Sequence, residues 1–273
     1  MCRTDNPAAY SVTKQILTHL HSQGIEHFVE SETALSLEIL DRSTDLTEMD
    51  VDFLVSIGGD GTILRVAMNI NPPETPILGV NMGRRGYLCE VTPEEAIEAI
   101  DRVINGNYTL ENCLKLSSRN QNINEDFPDA LNEVLVSSSL PSKMILTKIS
   151  VDGEFLTEIQ ADGILVSTPT GSTAYNISAG GSILAQGVDA MIVTAICPYS
   201  YFRSIALPAY ANVSIEMLKP KADALAIIDG KVYTALKPLT KIDVKASKNK
   251  TRFIRFKPSY RRLRARLSHL ESV

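Results

Sequence analysis

VSIGGDGTILRV, residues 55–66, sets three glycines around one acid, Asp60, where an apolar run ends. The run ahead of it, DFLV followed by Ser56 and Ile57, is short and rich in residues that favour a buried strand. Behind it, TILRVAMNI predicts a helix that Asn71-Pro72-Pro73 must stop. A strand, a glycine turn and a helix N-terminus gather backbone N–H groups into a ready seat for phosphate oxygens. The same pattern also serves as an ordinary turn of an α/β domain, and these twelve residues leave both readings open.

Outward from this turn, residues 8–23 predict a helix with Val12, Ile16, Leu17 and Leu20 on one face and Gly24 as its stop. A short strand is expected in IEHFV, then a polar segment to Asp50, then a strand over 51–57. TPILGVN (75–81) reads as a second buried strand, ending in another glycine turn, NMGRRGYL. TPEEAIEAIDRVINGN predicts a helix with a Thr92–Glu95 capping box, Pro93 at its first position and Gly106 past its end. Such a domain would normally open on a strand, yet only MCRT precedes Asp5-Asn6-Pro7. Either that strand is very short or the start lies downstream of the true one.

After residue 107 short strand-like runs dominate: YTLENCLKLSS, DALNEVLVSS, MILTKISV, GILVST, AMIVTAI, ANVSIEML, ALAIID, KIDVKAS and TRFIRF. Asp152-Gly153 and Gly230 supply turns between them. The reading is an α/β domain over 1–107, a β-rich domain over 108–255, and a last helix, 256–273, packing back on the first. In RFIRFKPSYRRLRAR that helix is expected to turn Leu263 and Leu267 inward and its arginines to solvent.

Composition bounds the function. The 273 residues carry a net charge of -5, which gives no reason to expect nucleic-acid or anionic-membrane binding. Cys2, Cys89, Cys113 and Cys197 lie far apart without a CxxC pair, arguing against a disulfide framework or cysteine zinc site and fitting a reducing cytoplasm. The histidines have no metal-ligand spacing, no apolar run approaches the ~20 residues that span a bilayer, and the first residues do not read as a signal peptide.

A second glycine-rich stretch, QADGILVSTPTGSTAYNISAGGSIL (160–184), runs from a strand into a loop dense in hydroxyls and amides. Such a loop can hydrogen-bond ribose, phosphate and amide groups, or it can be a polar surface loop. In ALNEVLVSSSLPSKM (130–144), Asn132 and Glu133 interrupt an apolar strand. They form either one face of an exposed edge strand or a pair aimed into a cleft, since burying them unsatisfied costs about 1–3 kcal/mol each.

Taken together, GGDGT (58–62), NE (132–133) and DGILVSTPTGSTAYNISAGG (162–181) resemble the three signature regions of the NAD kinase family, in order and at similar separation. Weaker echoes are GVNMGRRGYLCE (79–90), RSIALP (203–208) and DGK (229–231), so the resemblance covers nearly all of the chain from residue 51. The first motif is shared with phosphofructokinases and diacylglycerol-type lipid kinases; the TPTGSTAY-type stretch is far more discriminating. The resemblance implies an α/β N-terminal domain plus a β-rich C-terminal domain with the active site in the interdomain cleft. It implies phosphorylation of the adenosine-ribose 2′-hydroxyl of NAD by ATP, or polyphosphate, giving NADP. It further implies a divalent metal such as Mg²⁺ held mainly through the phosphates, and a homodimer or homotetramer.

Carried over residue by residue, Asp60 matches the general base, and Gly58, Gly59, Gly61 and Thr62 match the phosphate turn. Arg65 matches an often basic position that could touch phosphate. Asn132 and Glu133 would hold NAD, with Lys143 near the end of that loop, and Asp162, Thr170, Thr173, Ala174, Tyr175 and Ser178 match positions around the dinucleotide. Gln160 stands where many members are basic, and Lys231 where glutamine is common. The rival readings are a lipid or sugar kinase sharing the turn, and a dinucleotide-binding regulator without catalysis.

Overall fold

The structure, a computed structural model, describes residues 1–83, 86–219 and 223–270. Arg84 and Arg85 of the second glycine turn and the last three residues of the expected terminal helix lie outside the described residues. The chain divides into two compact units, Met1–Asn112 with Thr251–Val273, and Cys113–Lys250.

The first unit is α/β. Leu54–Gly58 and Ile77–Asn81 pair in parallel, Gly58 opposite Asn81. Phe253 pairs in parallel with Ile77, and Cys2 makes a parallel bridge to Ile57. The segment before the first helix therefore contributes a single bridge, with Ile57 N–H donating to the Met1 carbonyl and Arg3 N–H to the Ile57 carbonyl. Parallel strands covered by helices read as continuous apolar runs, and burial of Leu54, Ile57, Leu78 and Val80 follows from that. Helix Pro7–Ser22 begins where the Asn6 side chain accepts from Ala8 N–H at 3.0 Å. It buries Val12, Ile16 and Leu20 in one cluster with Ala99, Ile100 and Val103 of helix Ala96–Ile104. At the latter helix, Glu95 reaches back to Thr92 N–H at 2.9 Å, and Gly106 takes φ +71° just past the end.

Three local expectations differ. The strand expected in IEHFV is only Val29–Glu30, and the polar segment after it holds helix Ser31–Leu37. The Glu30 carboxylate caps that helix, accepting from Thr33 N–H and hydroxyl, while Ala34 and Leu37 are buried. KIDVKAS and TRFIRF form one strand, Lys241–Arg255. In the terminal helix Ser259–Leu270, Leu267 is 40 % exposed, whereas Arg262 is turned inward. Its guanidinium pairs with buried Glu90 and half-buried Glu111, and these two carboxylates outbid a leucine for that place.

The second unit is β-rich. Its six-stranded antiparallel sheet runs Ile205–Pro208, Ala190–Ile196, Gly163–Ser167, Glu133–Ser138, Ala224–Ile228, Val232–Leu236. Around Val213–Lys219 a second antiparallel arrangement includes Ile145–Val151 and Glu154–Ala161. Asp152 and Gly153 both take positive φ, the backbone of a two-residue hairpin turn between Val151 and Glu154; Asp229 and Gly230 do so as well, in the three-residue loop between Ile228 and Val232.

Candidate active site

In the first unit, Asp60 is the first residue of helix Asp60–Asn69, with Gly59 as its N-cap. A Cβ on Gly58 would lie 2.3 Å from the Thr62 hydroxyl, so the close turn needs glycine there. Gly59 faces open space, and Thr62 N–H already donates to the Gly59 carbonyl at 3.0 Å, so the N–H groups of Asp60 and Gly61 are the ones that precede the first intrahelical bond. The Asp60 carboxylate is half-buried and fixed at both oxygens, Oδ2 accepting from Tyr87 N–H at 2.9 Å and Oδ1 from Leu88 N–H at 3.0 Å. Each oxygen keeps a lone pair for a further donor. Cys89 lies beneath the turn, its Sγ 3.9 Å from the Gly58 carbonyl; burial, then the nearby Asp60 charge, pushes the thiol up to about 12. Arg65 is engaged by the helix-capping Glu30, at 3.0 Å, and by Glu32. Its guanidinium is thus committed to carboxylates of its own unit.

In the second unit, the strand Glu133–Ser138 lies between Gly163–Ser167 and Ala224–Ile228. The edge-strand alternative for Asn132 and Glu133 is thereby overturned: the strand is central and both residues are buried. The hydroxyl loop folds directly against them. Thr168 N–H donates to the Asn132 carbonyl at 2.9 Å, and the Thr168 hydroxyl donates to the Leu131 carbonyl at 2.6 Å. Gly171 passes so close that a Cβ there would fall 2.0 Å from the Asn132 carbonyl oxygen. Thr170 and Thr173 are buried in this loop, Thr173 donating to the Thr170 carbonyl; Ala174 is half-buried, and Tyr175 and Ser178 are exposed.

Asp229 organises the same place from below. Its buried carboxylate accepts from three successive backbone N–H groups, those of Leu131 at 2.7 Å, Asn132 at 2.8 Å and Glu133 at 2.9 Å. Burial pushes Asp229 upward, against those three donors and the charge of Lys115, itself buried and pushed downward by desolvation. Glu133 is only 8 % exposed and its Oε2 has no hydrogen-bond partner. Burial, then the adjacent Asp229 charge, pushes Glu133 up to about 8. A desolvated carboxyl with one oxygen unpartnered, beside a glycine–hydroxyl loop, is a candidate for receiving a polar ligand.

Not every expected residue joins this group. Asp162 stands at the opposite end of Gly163–Ser167 from Thr168, about 20 Å along an extended strand. Exposed Gln160 lies at that far end with it, as does Lys143, two residues before Ile145, whose cross-strand partner is Ala161. Lys231 is exposed on the Asp229 turn. The residues that sequence reasoning passed over are Asp229, Thr168 and Asn176. Asn176 is fully buried, donating to the Ser172 and Ser182 carbonyls and accepting from the Thr194 hydroxyl, and holds the loop in shape. The DG pair and the density of the 162–181 stretch were their only signals.

Among the described residues no group of three or more His, Cys, Asp or Glu could hold a metal ion, and no helix is long and apolar enough to cross a membrane.

Residues 1–108 match the model of the ATP-NAD kinase N-terminal domain and residues 131–256 that of the ATP-NAD kinase C-terminal domain. A NAD kinase of Methanothermobacter thermautotrophicus is 36% identical over 270 residues, covering 98% of this chain and 94% of that one. A NAD kinase of Thermococcus gammatolerans is 37% identical over 259 residues, covering 94% and 92%. Yeast NADH kinase complexed with NADH superposes with TM-score 0.85 at 26% identity, covering 94% of this chain and 82% of the other. An Archaeoglobus fulgidus NAD kinase in complex with ATP does so with TM-score 0.76 at 27% identity, covering 94% of each. The two-unit fold, α/β then β-rich, is that of phosphotransferases. The chain belongs to the NAD kinase family.

Proposed function

We propose that this protein transfers the terminal phosphoryl group of ATP to the 2′-hydroxyl of the adenosine ribose of NAD, giving NADP, with Asp60 as general base. The observation that carries this reading is the doubly anchored Asp60 carboxylate at a glycine turn, with lone pairs left for a hydroxyl proton. A sugar hydroxyl is a poor nucleophile, and a carboxylate accepting its proton in the transition state contributes typically ~10²–10⁴-fold. The open first turn at Gly59 and Gly61 would receive phosphate oxygens, with Gly58 and Thr62 shaping it. Glu133, with Asn132, would take ribose hydroxyls of the dinucleotide, and Thr170, Thr173, Ala174, Tyr175 and Ser178 would line its path. Asp162, Lys143, Gln160 and Lys231 are kept as more distant contacts, and Arg65 as an indirect support of the turn.

The single Asp60 carboxylate beside the glycine turn fits a divalent cation that arrives on the ATP phosphates, since Mg²⁺ is commonly held by one or two carboxylates plus substrate phosphates. Such an ion neutralises phosphate charge during transfer. We also propose a cytoplasmic setting, which suits four cysteines spaced far apart in the sequence with no CxxC pair, and a homodimer or homotetramer, to be read by light scattering.

The test is incubation with NAD or NADH, and with ATP or polyphosphate, in the presence of Mg²⁺, followed by enzymatic detection of the 2′-phosphorylated product. Dinucleotide binding without product in every arm would favour the silent regulator and overturn the reading.

A further inference from the structure

The basic stretch near the end of the chain contains a residue one backbone unit removed from Asp60. Arg255 is the last residue of the strand Lys241–Arg255 and is only 4 % exposed. Its Nε donates to Glu111 at 2.7 Å, and its Nη1 lies 3.4 Å from Glu90. Arg262 pairs with the same two carboxylates, at 3.2 Å for Glu90. Glu90 also accepts from Phe256 N–H at 2.8 Å and Lys257 N–H at 2.9 Å. Two arginines and two glutamates thus cancel in charge, and each carboxylate is satisfied within the first unit.

Charge balance does not explain the shortest of the Arg255 Nη1 contacts. That nitrogen donates to the Leu88 carbonyl at 2.7 Å, while the Leu88 N–H donates to Asp60 Oδ1. Leu88 is 3 % exposed, so its side chain is locked in the core. Between its N–H and its carbonyl only two backbone dihedrals can move. With the carbonyl clamped and the side chain buried, the direction of the N–H is set, and with it the direction of the Asp60 carboxylate.

We infer that Arg255 is a positioning residue for Asp60, acting through Leu88, with Glu90 and Glu111 holding the guanidinium in place. This rests on the reading of Asp60 as the base. It gives Arg255, and not its neighbour Arg262, a role in turnover that neither glycine motif contains.

A double-mutant cycle separates this from a merely structural role. Arg255→Lys keeps the charge but loses the planar fork that serves Leu88, Glu90 and Glu111 at once. It should lower kcat by about 10-fold or more with KM for both substrates within about 2-fold. In the Asp60→Asn background the same change should cost less than about 2-fold, because its route is already cut. Arg262→Gln, which loosens the same carboxylates without touching Leu88, should lower the unfolding temperature but keep kcat within about 2-fold. Should Arg255→Lys fail to fold, Glu111→Gln carries the same cycle. Full additivity with Asp60→Asn, or equal kcat losses for Arg255→Lys and Arg262→Gln, overturns the inference and leaves Asp60 as base. Near-wild-type turnover in Asp60→Asn alone overturns the base itself and the inference with it.

Discussion

Glu133→Gln should make the free protein more stable at alkaline pH while impairing its use of dinucleotide. The side chain is buried, its Oε2 is unpartnered, and the neighbouring Asp229 carboxylate opposes a second charge. Its pKa rises from the ordinary 4.5 to about 8 on folding. A group raised in the folded state holds its proton there while the unfolded chain has already released it. Stability contributed by this group is therefore full below about pH 4.5 and is lost progressively up to about pH 8. At ~1.4 kcal/mol per pH unit the whole interval amounts to about 5 kcal/mol. Relaxation around the charge and the coupled response of Asp229 reduce what is measured, and swaps of buried charges for neutral groups return about 1–4 kcal/mol. Glutamine has the same shape and no charge to bury. The variant should thus match wild type within about 1 kcal/mol at pH 5 and exceed it by about 2–3 kcal/mol at pH 9. The assay is urea unfolding across that range without ligand, followed by far-UV circular dichroism because the chain has no tryptophan. A pH-independent difference, or a variant less stable at pH 9, would refute the claim that this carboxyl is desolvated and unpaired.

Four shorter predictions accompany it. Asp60→Asn places an amide N–H₂ against one of two backbone N–H donors, so it should lower stability by about 1–3 kcal/mol and turnover by ~10²–10⁴-fold; a thermal melt and product assay read the two effects separately. Asn132→Ala should raise KM for NAD with kcat largely kept, whereas unchanged KM with lowered stability would make Asn132 a scaffold residue only. Asp229→Asn should remove acceptors from the Leu131–Glu133 N–H groups and cost more stability than any surface change, about 2–4 kcal/mol, seen in the same unfolding assay. A thiol reagent should label Cys197 in the native protein and spare Cys2, Cys89 and Cys113, which are buried; peptide mapping before and after unfolding checks this.

How far the sequence could be read follows from how local each cause is. Asp152-Gly153 and Asp229-Gly230 announce their turns because left-handed backbone is a property of the residues themselves. The Thr92–Glu95 pair announces its helix for the same reason. Helix Ser31–Leu37 escaped notice because it is short and its cap is a glutamate, outside the usual capping set. Arg262 was read as solvent-facing because its partners, Glu90 and Glu111, are more than a hundred residues away in the chain. Asp229 carried no motif strong enough to mark it, since its task is to receive N–H groups from residues 131–133. Long-range acceptors are invisible to periodicity.

The two acids singled out in the sequence end up in opposite surroundings, and that contrast bears on their roles. Asp60 has a backbone donor on each oxygen, so its direction is fixed before any substrate arrives. Glu133 has its backbone fixed by Asp229 but its Oε2 left without a partner. A base must be oriented and able to accept; a group that grips a sugar hydroxyl gains most when nothing else satisfies it beforehand. A carboxyl that keeps its proton near neutral pH can donate as well as accept, which suits a pair of ribose hydroxyls better than a bare carboxylate does. The measurable consequence is that Glu133→Gln should retain more dinucleotide affinity than Glu133→Ala, the amide replacing both functions in part. Equal losses in the two variants would mean that the charge, rather than the paired donor and acceptor, makes the contact.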